Sequence, residues 1–444
     1  MQIFEKILAD LSNMVWGPAM LFFLFGTHLF LTFRLKVIQR YLGKAIKLSL
    51  ERGHEGEGDV SHFGALTTAL AATVGTGNII GVATAIAAGG PGAVLWMWLT
   101  GVFGIATKYA EALLSVKFRV RNKKGQMAGG PMYVLEKGMK NKGLAIAFAA
   151  FTAVAAFGIG NMVQANSIAA LMKETFGASP WITGIAITVF TGCVILGGIT
   201  SIARTCEKFV PLMMMFYILG CVILLCMKWQ TVPQTLGLIF TSAFTGQAAL
   251  GGFLGAGMKE AMRFGVARGL FSNEAGMGSA PIVAAAARTS NPVRQALVSS
   301  TGVFWDTVVT CALTGLVLVN SGFWRQGLKG AALTKAAFSD LTWIGPVMLT
   351  IGLLTFVLST ILGWSYYGEK AVEYLWGERA IFPYRYLWVV AVMVGSVVTL
   401  PMVWSFADIA NALMAIPNLV ALWALNGILV EETRMHLWCE KRPA

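Results

Sequence analysis

Two short stretches hold the residue types that could bind an ion and a zwitterion together. "ATVGTGNIIG" (72–81) sets three glycines, two threonines and an asparagine inside a long apolar run. "NEAGMG" (273–278) sets two glycines, an asparagine and a glutamate inside another. Glycine and short polar side chains are poor helix formers, so each stretch predicts a break in a helix. A break leaves free N–H groups at the start of one half-helix and free C=O groups at the end of the other. The first suit a carboxylate and the second a cation such as Na+. Glu274 is the one charged residue in either break. A carboxylate at that depth points to function: it could coordinate a cation, bind a substrate amino group or carry a proton. The plainer role is to cap a helix end or to pair with Arg268.

The elements that position these stretches follow from composition. The chain has 444 residues, 56% hydrophobic and 12% charged. A soluble protein carries roughly a quarter charged residues, so this is a multi-spanning membrane chain in a lipid bilayer. Eleven apolar segments reach spanning length: 14–33, 61–89, 91–116, 144–172, 180–199, 209–228, 262–287, 292–319, 344–368, 384–400 and 402–430. The first is too long for a signal-peptide core and reads as a retained span. With the N-terminus outside and the C-terminus in the cytoplasm, most of the 34 Lys and Arg fall on the inner side. The runs "RLKVIQRYLGKAIK" and "KFRVRNKKGQ" carry much of that excess. The net charge of +13 is thus a topology signal and no nucleic-acid signal. Residues 34–50 read as an amphipathic helix lying in the interface.

Sliding the chain over itself by 201 residues lays 75–104 over 276–305 without a gap, ten of thirty positions being identical. Pro91 matches Pro292, and "TGVF" recurs at 100–103 and 301–304. The same offset superposes later spans, so each unit holds five. Five is odd, and the second unit therefore enters the membrane from the opposite side. The expected fold is all-α: eleven transmembrane helices, a 5+5 inverted repeat plus one extra N-terminal helix. Its divisions are 1–60 (extra span and interfacial helix), 61–228 (first repeat), 229–432 (outer loop and second repeat) and 433–444 (cytoplasmic tail). The two breaks fall at repeat-equivalent places. Lipid penalises free backbone groups by several kcal/mol each, so paired breaks belong around a protein-enclosed cavity. Glycines that merely let helices pack closely are the competing reading.

The stretches "GTGNIIGVATAI", "GGPGAVLWMWLTGVFGIATKYAE", "GGPMYVLEKG" and "ARGLFSNEAGMGSAPIVAAAA" resemble the alanine or glycine:cation symporter family, the sodium:alanine symporters. The resemblance spans essentially the whole chain. It implies a leucine-transporter-type fold, a bacterial or archaeal inner membrane, and import of alanine or glycine with Na+. It also implies roles for residues. Gly75, Thr76 and Gly77 would hold the substrate carboxylate through backbone N–H groups, with Gly276 at the second break and Met277 as an apolar wall. Asn78 would help hold a cation near that carboxylate. Ala71, Thr73 and Val74 would face Ser359 and Thr360 across an Na+ site, Thr360 also bordering the substrate. Gln164 would touch the substrate, and Trp364 would limit its side chain to methyl size. Plainer readings stand beside these: hydroxyls bonded to their own helix for Ser359 and Thr360, and an interhelical hydrogen bond for Gln164.

The leading functional reading is secondary active transport of a small amino acid coupled to Na+. In a proton-coupled version Glu274 would titrate and Ser359 and Thr360 would be structural. A channel or sensor is the alternative from another class. An enzyme is excluded: His28, His54, His62 and His436 are scattered, and neither a phosphate-binding loop nor a GxSxG nucleophile is present. The six cysteines form no ligand pattern and read as packing residues.

Overall fold

The computed structural model describes residues 7–8, 10–11, 14–51, 56–245, 257–341, 344–398 and 401–439. His54 and parts of the expected N-terminal region, outer loop and C-terminal tail lie outside the described residues. The fold is mostly helical. Its helices are α1 (Pro18–Arg34), α2 (Leu42–Leu50), α3 (His62–Thr73), α4 (Val82–Gly89) and α5 (Ala93–Lys117). There follow α6 (Lys142–Phe176), α7 (Pro180–Ile195), α8 (Gly198–Met227), α9 (Val232–Phe244) and α10 (Met258–Asn273). The chain continues through α11 (Pro292–Ser321), α12 (Gly330–Phe338), α13 (Ile344–Trp376), α14 (Ile381–Val397), α15 (Pro401–Ala424) and α16 (Asn426–Thr433).

Each of the eleven expected segments contains a helix. By length and composition, five described helices could cross a membrane, or up to eight when bent pairs are counted as one span. Three expected spans fall outside that count: α7 has 16 residues, the second break cuts another short, and α5 carries Lys108 and Glu111 within it. Residues 38–50 turn away from α1 by 66°, and α2 packs on α11.

Both breaks form as their residues dictate. α3 begins at Ser61, whose hydroxyl accepts from the Gly64 N–H. It ends at Thr73, where Val74 turns extended (φ −76°, ψ 101°). A π-turn, Gly77–Gly81, starts the second half, and the two halves meet at 54°. α10 ends at Glu274, in the left-handed region at φ 53°. Gly276 and Gly278 follow at φ 90° and 82°, a conformation glycine adopts without strain. Only the short stub Pro281–Ala284 is helical beyond them. The broken helices lie antiparallel: a Cβ on Gly77 would meet Phe271 and Ser272, and one on Gly89 would meet Glu260 and Ala261. α5 packs against both α10 and α11 at the centre.

Polar contacts sort the connections into two ends. Arg119 reaches Ala285, Asn122 reaches Glu373, and Lys117 reaches Glu432 at one of them, the basic end. Lys228 with Asp340, Lys335 with Glu174 and Thr231 with Asn320 mark the opposite end. Between the ends, Trp364, Trp388, Tyr109, Tyr217 and Tyr367 are buried, while Ile185, Leu212, Met215, Leu219 and Val390 project outward. Such an exposed apolar perimeter is the surface of a protein solvated by lipid.

Candidate functional site

Thr73, Gly75, Thr76 and Gly77 of the first break and Glu274 of the second line one cavity with Gln164, Thr360 and Trp364. Ala72, Ile159, Phe271 and Asn411 complete its wall, and its volume is about 20 Å³. A small π-turn (Ala156–Met162) interrupts α6 just before Gln164. The Gln164 amide N–H donates to the Ile159 carbonyl at 2.9 Å, five residues back. Its oxygen Oε1 and that of Asn411, Oδ1, are buried and have no hydrogen-bond partner among the described residues. Two open amide acceptors thus border one cavity. Buried acceptors are normally satisfied, so their natural complement is a donor-rich group such as an ammonium.

Trp364 is 1% exposed and walls the cavity. Gly160 lets it do so: a Cβ there would fall 2.3 Å from the Trp364 Cβ. The indole N–H donates to Glu274 Oε1 at 3.0 Å, and the Ser279 hydroxyl donates to Oε2. Glu274 therefore stands between the cavity wall and its own break. Arg268, its expected alternative partner, instead lies over Phe271 and beside Asp408.

A second cluster joins the first break to α13. The Thr360 hydroxyl lies 3.3 Å from the Val74 carbonyl oxygen and 3.0 Å from that of Phe356. The Ser359 hydroxyl lies 2.7 Å from the same Phe356 oxygen. Four neutral oxygens meet here, a donor set that suits a hard monovalent cation. Thr360 also presses on the break, because a Cβ on Gly75 would be 2.7 Å from its Oγ1. Ala71 is buried in the last turn of α3. The two hydroxyls bond their own helix, as the plainer reading expected, and Thr360 in addition faces the break.

Asn78 ties the first break to α11. Its Oδ1 accepts from the Gly75 N–H at 2.8 Å, and its Nδ2 donates to Asp306 Oδ1 at 2.7 Å. Asp306 Oδ2 accepts from Ser272 (2.9 Å) and Thr307 (2.7 Å). The Gly75 N–H, expected to face a substrate carboxylate, is thus engaged by Asn78, while Thr76 and Gly77 border the cavity.

The second break is filled from within. Glu111 Oε1 accepts from the N–H groups of Gly276 and Gly278, both at 3.0 Å, and from Asn418 Nδ2 at 2.7 Å. An internal carboxylate thereby occupies the free N–H groups of the second break. Gly276 and Met277 do not border the cavity: the first is tied to Glu111, and the second is fully buried.

Two further spaces flank the cavity, one larger and one smaller. Towards the opposite end, a cavity of 140 Å³ is lined by Trp16, Arg263, Arg268 and Asp408, and Phe271 borders both spaces. Towards the basic end, one of 10 Å³ is lined by Lys108, Asn273 and Ser299, and Thr73 borders both. Lys108 is 3% exposed, and its ammonium has no hydrogen-bond partner among the described residues. It acts electrostatically on Glu111, Glu274 and Asp306.

Sequence reasoning missed Asn411, Glu111, Lys108, Ser272 and the Phe356 carbonyl, and left Asp306 aside. Lys108 and Glu111 carried a readable signal, being ionisable residues three apart inside an apolar span. Among the described residues no three His, Cys, Asp or Glu gather as a metal cluster, and Cys206, Cys221 and Cys311 are buried.

A family model described as the sodium:alanine symporter family matches residues 1–443. The sodium/alanine symporter AgcS of Methanococcus maripaludis is 51% identical over 442 residues, covering 97% of each chain. The probable sodium/glutamine symporter GlnT of Bacillus subtilis is 35% identical, covering 96% of this chain and 90% of its own. Among solved structures, MhsT in complex with L-phenylalanine superposes with a TM-score of 0.58 at 15% identity, covering 84% of this chain and 90% of that one. This likeness shows a leucine-transporter-type fold.

Proposed function

The chain belongs to the sodium:alanine symporter family and is a membrane transporter, not an enzyme, and we propose that it imports a small neutral amino acid, alanine or glycine, with Na+. The cavity that joins both breaks carries this reading, because its groups divide by charge preference. The substrate ammonium would meet the open oxygens of Gln164 and Asn411 and the Glu274 carboxylate. Its carboxylate would lie against the backbone of Thr76 and Gly77 at the start of the second half-helix. Trp364, Ile159 and Phe271 would enclose the methyl group. Na+ would sit among the oxygens of Val74, Phe356, Ser359 and Thr360, with the Ala71 carbonyl nearby. Bound there, the ion would hold the first break against α13 and so favour the closed cavity.

The topology completes the proposal. The eleven helices, the inverted repeat and an inner-membrane location with the N-terminus outside make the basic end cytoplasmic. The cavity beyond Phe271 is then the outer approach, and substrate leaves past Thr73. Glu111 supports a single carboxylate site, since it fills the second break.

A proton-coupled variant has its own supporting observation: Glu274 and Asp306 are carboxylates wholly within the protein. Uptake of labelled alanine into proteoliposomes separates the two. Accumulation driven by an inward Na+ gradient alone is expected. Accumulation driven only by an inward H+ gradient would transfer coupling to a carboxylate, and no uptake under either would refute the substrate assignment.

A further inference from the structure

The run "KFRVRNKKGQ" bears on more than topology, because it places Arg119 just beyond the end of α5. The guanidinium donates four hydrogen bonds to backbone carbonyls. Nη1 reaches Ala285 (2.9 Å) and Ala287 (2.8 Å), and Nη2 reaches Glu57 (2.9 Å) and Thr289 (2.7 Å). These acceptors lie on two segments that root the two broken helices. Residues 56–60 lead into α3, and 285–289 follow the stub of the second break.

The two segments also pair directly. The Asp59 and Val60 N–H groups donate to the Ala286 carbonyl at 2.8 and 3.2 Å, the Arg288 N–H donates to Val60 at 2.8 Å, and the Thr289 N–H donates to Glu57 at 3.2 Å. Glycine makes this approach possible. A Cβ on Gly56 would fall 2.3 Å from the Ser290 nitrogen, and one on Gly58 would fall 2.3 Å from the Arg288 Cα. Asp59 Oδ2 accepts from the Met127 N–H at 2.9 Å, so the hairpin that follows Arg119 is bound to the same place. Burial pushes the Asp59 carboxyl above the ordinary aspartate range, against the opposing pull of the Met127 N–H, Lys370, Arg119 and Arg121.

We propose that Arg119 is the latch of the cytoplasmic gate, a positioning residue that holds the roots of both broken helices together while the substrate cavity faces the other side. The inference rests on the reading of the chain as an alternating-access importer. The small cavity at Lys108 and Ser299 lies between α3, α5, α11 and the second break, beside the substrate cavity across Thr73. A path from there to the cytoplasm requires 56–60 and 285–289 to part. A guanidinium suits this latch for two reasons. Its planar fork carries five N–H donors and can serve four carbonyls at once, which a lysine's point charge cannot. Its acceptors are neutral backbone groups that water can satisfy after release, so the latch opens without stranding a buried charge.

The test is cytoplasmic access to Ser299→Cys, in a chain whose exposed Cys193, Cys226 and Cys439 are replaced. Inside-out vesicles are treated with a membrane-impermeant maleimide, with and without Na+ and alanine. Slow labelling is expected in the parent, slower still with Na+ and alanine. Arg119→Ala should raise the rate roughly tenfold or more, and Arg119→Lys should fail to restore it. Gly58→Ala should raise it by a separate, steric route, which keeps the proposal testable if Arg119→Ala does not fold. Retained Na+-dependent alanine binding by the purified variants checks folding. An unchanged rate in Arg119→Ala or Gly58→Ala, or restoration by lysine, would overturn the latch. A parent rate indifferent to Na+ and alanine would instead count against the transport reading and leave the effect of Arg119 on access readable.

Discussion

The hydroxyl of Thr360 on α13 lies 3.3 Å from the carbonyl oxygen of Val74, the residue that caps α3 at the first break. One contact thereby joins the discontinuous helix to α13, which runs 33 residues. A cation held there gains both partners only when the break and α13 are together, which is how ion binding can be coupled to cavity closure.

Replacing Thr360 by alanine removes the oxygen that faces Val74. The Na+ concentration for half-maximal alanine binding should rise roughly ten- to hundredfold. Thr360→Ser should recover most of it, because only the hydroxyl is needed. A normal Na+ titration in Thr360→Ala would take this residue out of the ion site.

Trp364 is both wall and partner of Glu274, through a 3.0 Å hydrogen bond. Trp364→Ala should widen the substrate range, read as competition by serine, valine or glutamine for labelled alanine. It should also destabilise the protein by about 3–5 kcal/mol, visible as a lower melting temperature in detergent. An unchanged competition profile would deny Trp364 a role in selecting size.

Gln164→Leu removes an unpartnered acceptor from the cavity and keeps an apolar bulk. Alanine affinity should fall roughly tenfold or more, with Na+ binding in the absence of substrate unchanged. Equal losses of both would place Gln164 in the framework and not at the substrate.

Glu111→Ala would strand the N–H groups of Gly276 and Gly278, leave Asn418 only its bond to the Gly276 carbonyl, and should cost about 3 kcal/mol or more of stability. Glu111→Gln keeps one acceptor oxygen and should cost clearly less. Equal melting temperatures for the two variants would show that the second break does not depend on this carboxylate.

The two breaks were legible in the sequence because helix propensity is local: "VGTGN" and "NEAGMG" gather glycines and short polar residues that disfavour a regular helix. The membrane class was equally legible, since every spanning backbone group must be satisfied within its own segment and the apolar runs record that demand. The 201-residue sequence repeat followed from self-comparison alone. Gly75, Gln164, Glu274, Thr360 and Trp364, all singled out in the sequence, line one cavity.

Only the tertiary structure decided which break is filled by a carboxylate of the protein itself. The repeat makes the two look equivalent, yet Glu111 reaches Gly276 and Gly278 from α5, while the residue 201 positions after Glu111 is Ala312. The partnerships of Asn78 with Asp306 and of Arg119 with Ala285 and Ala287 likewise cross more than a hundred residues. Such contacts depend on the rotation and register of each helix about its neighbours. Those quantities are fixed by packing the whole bundle, and an apolar period of one helix leaves them undetermined.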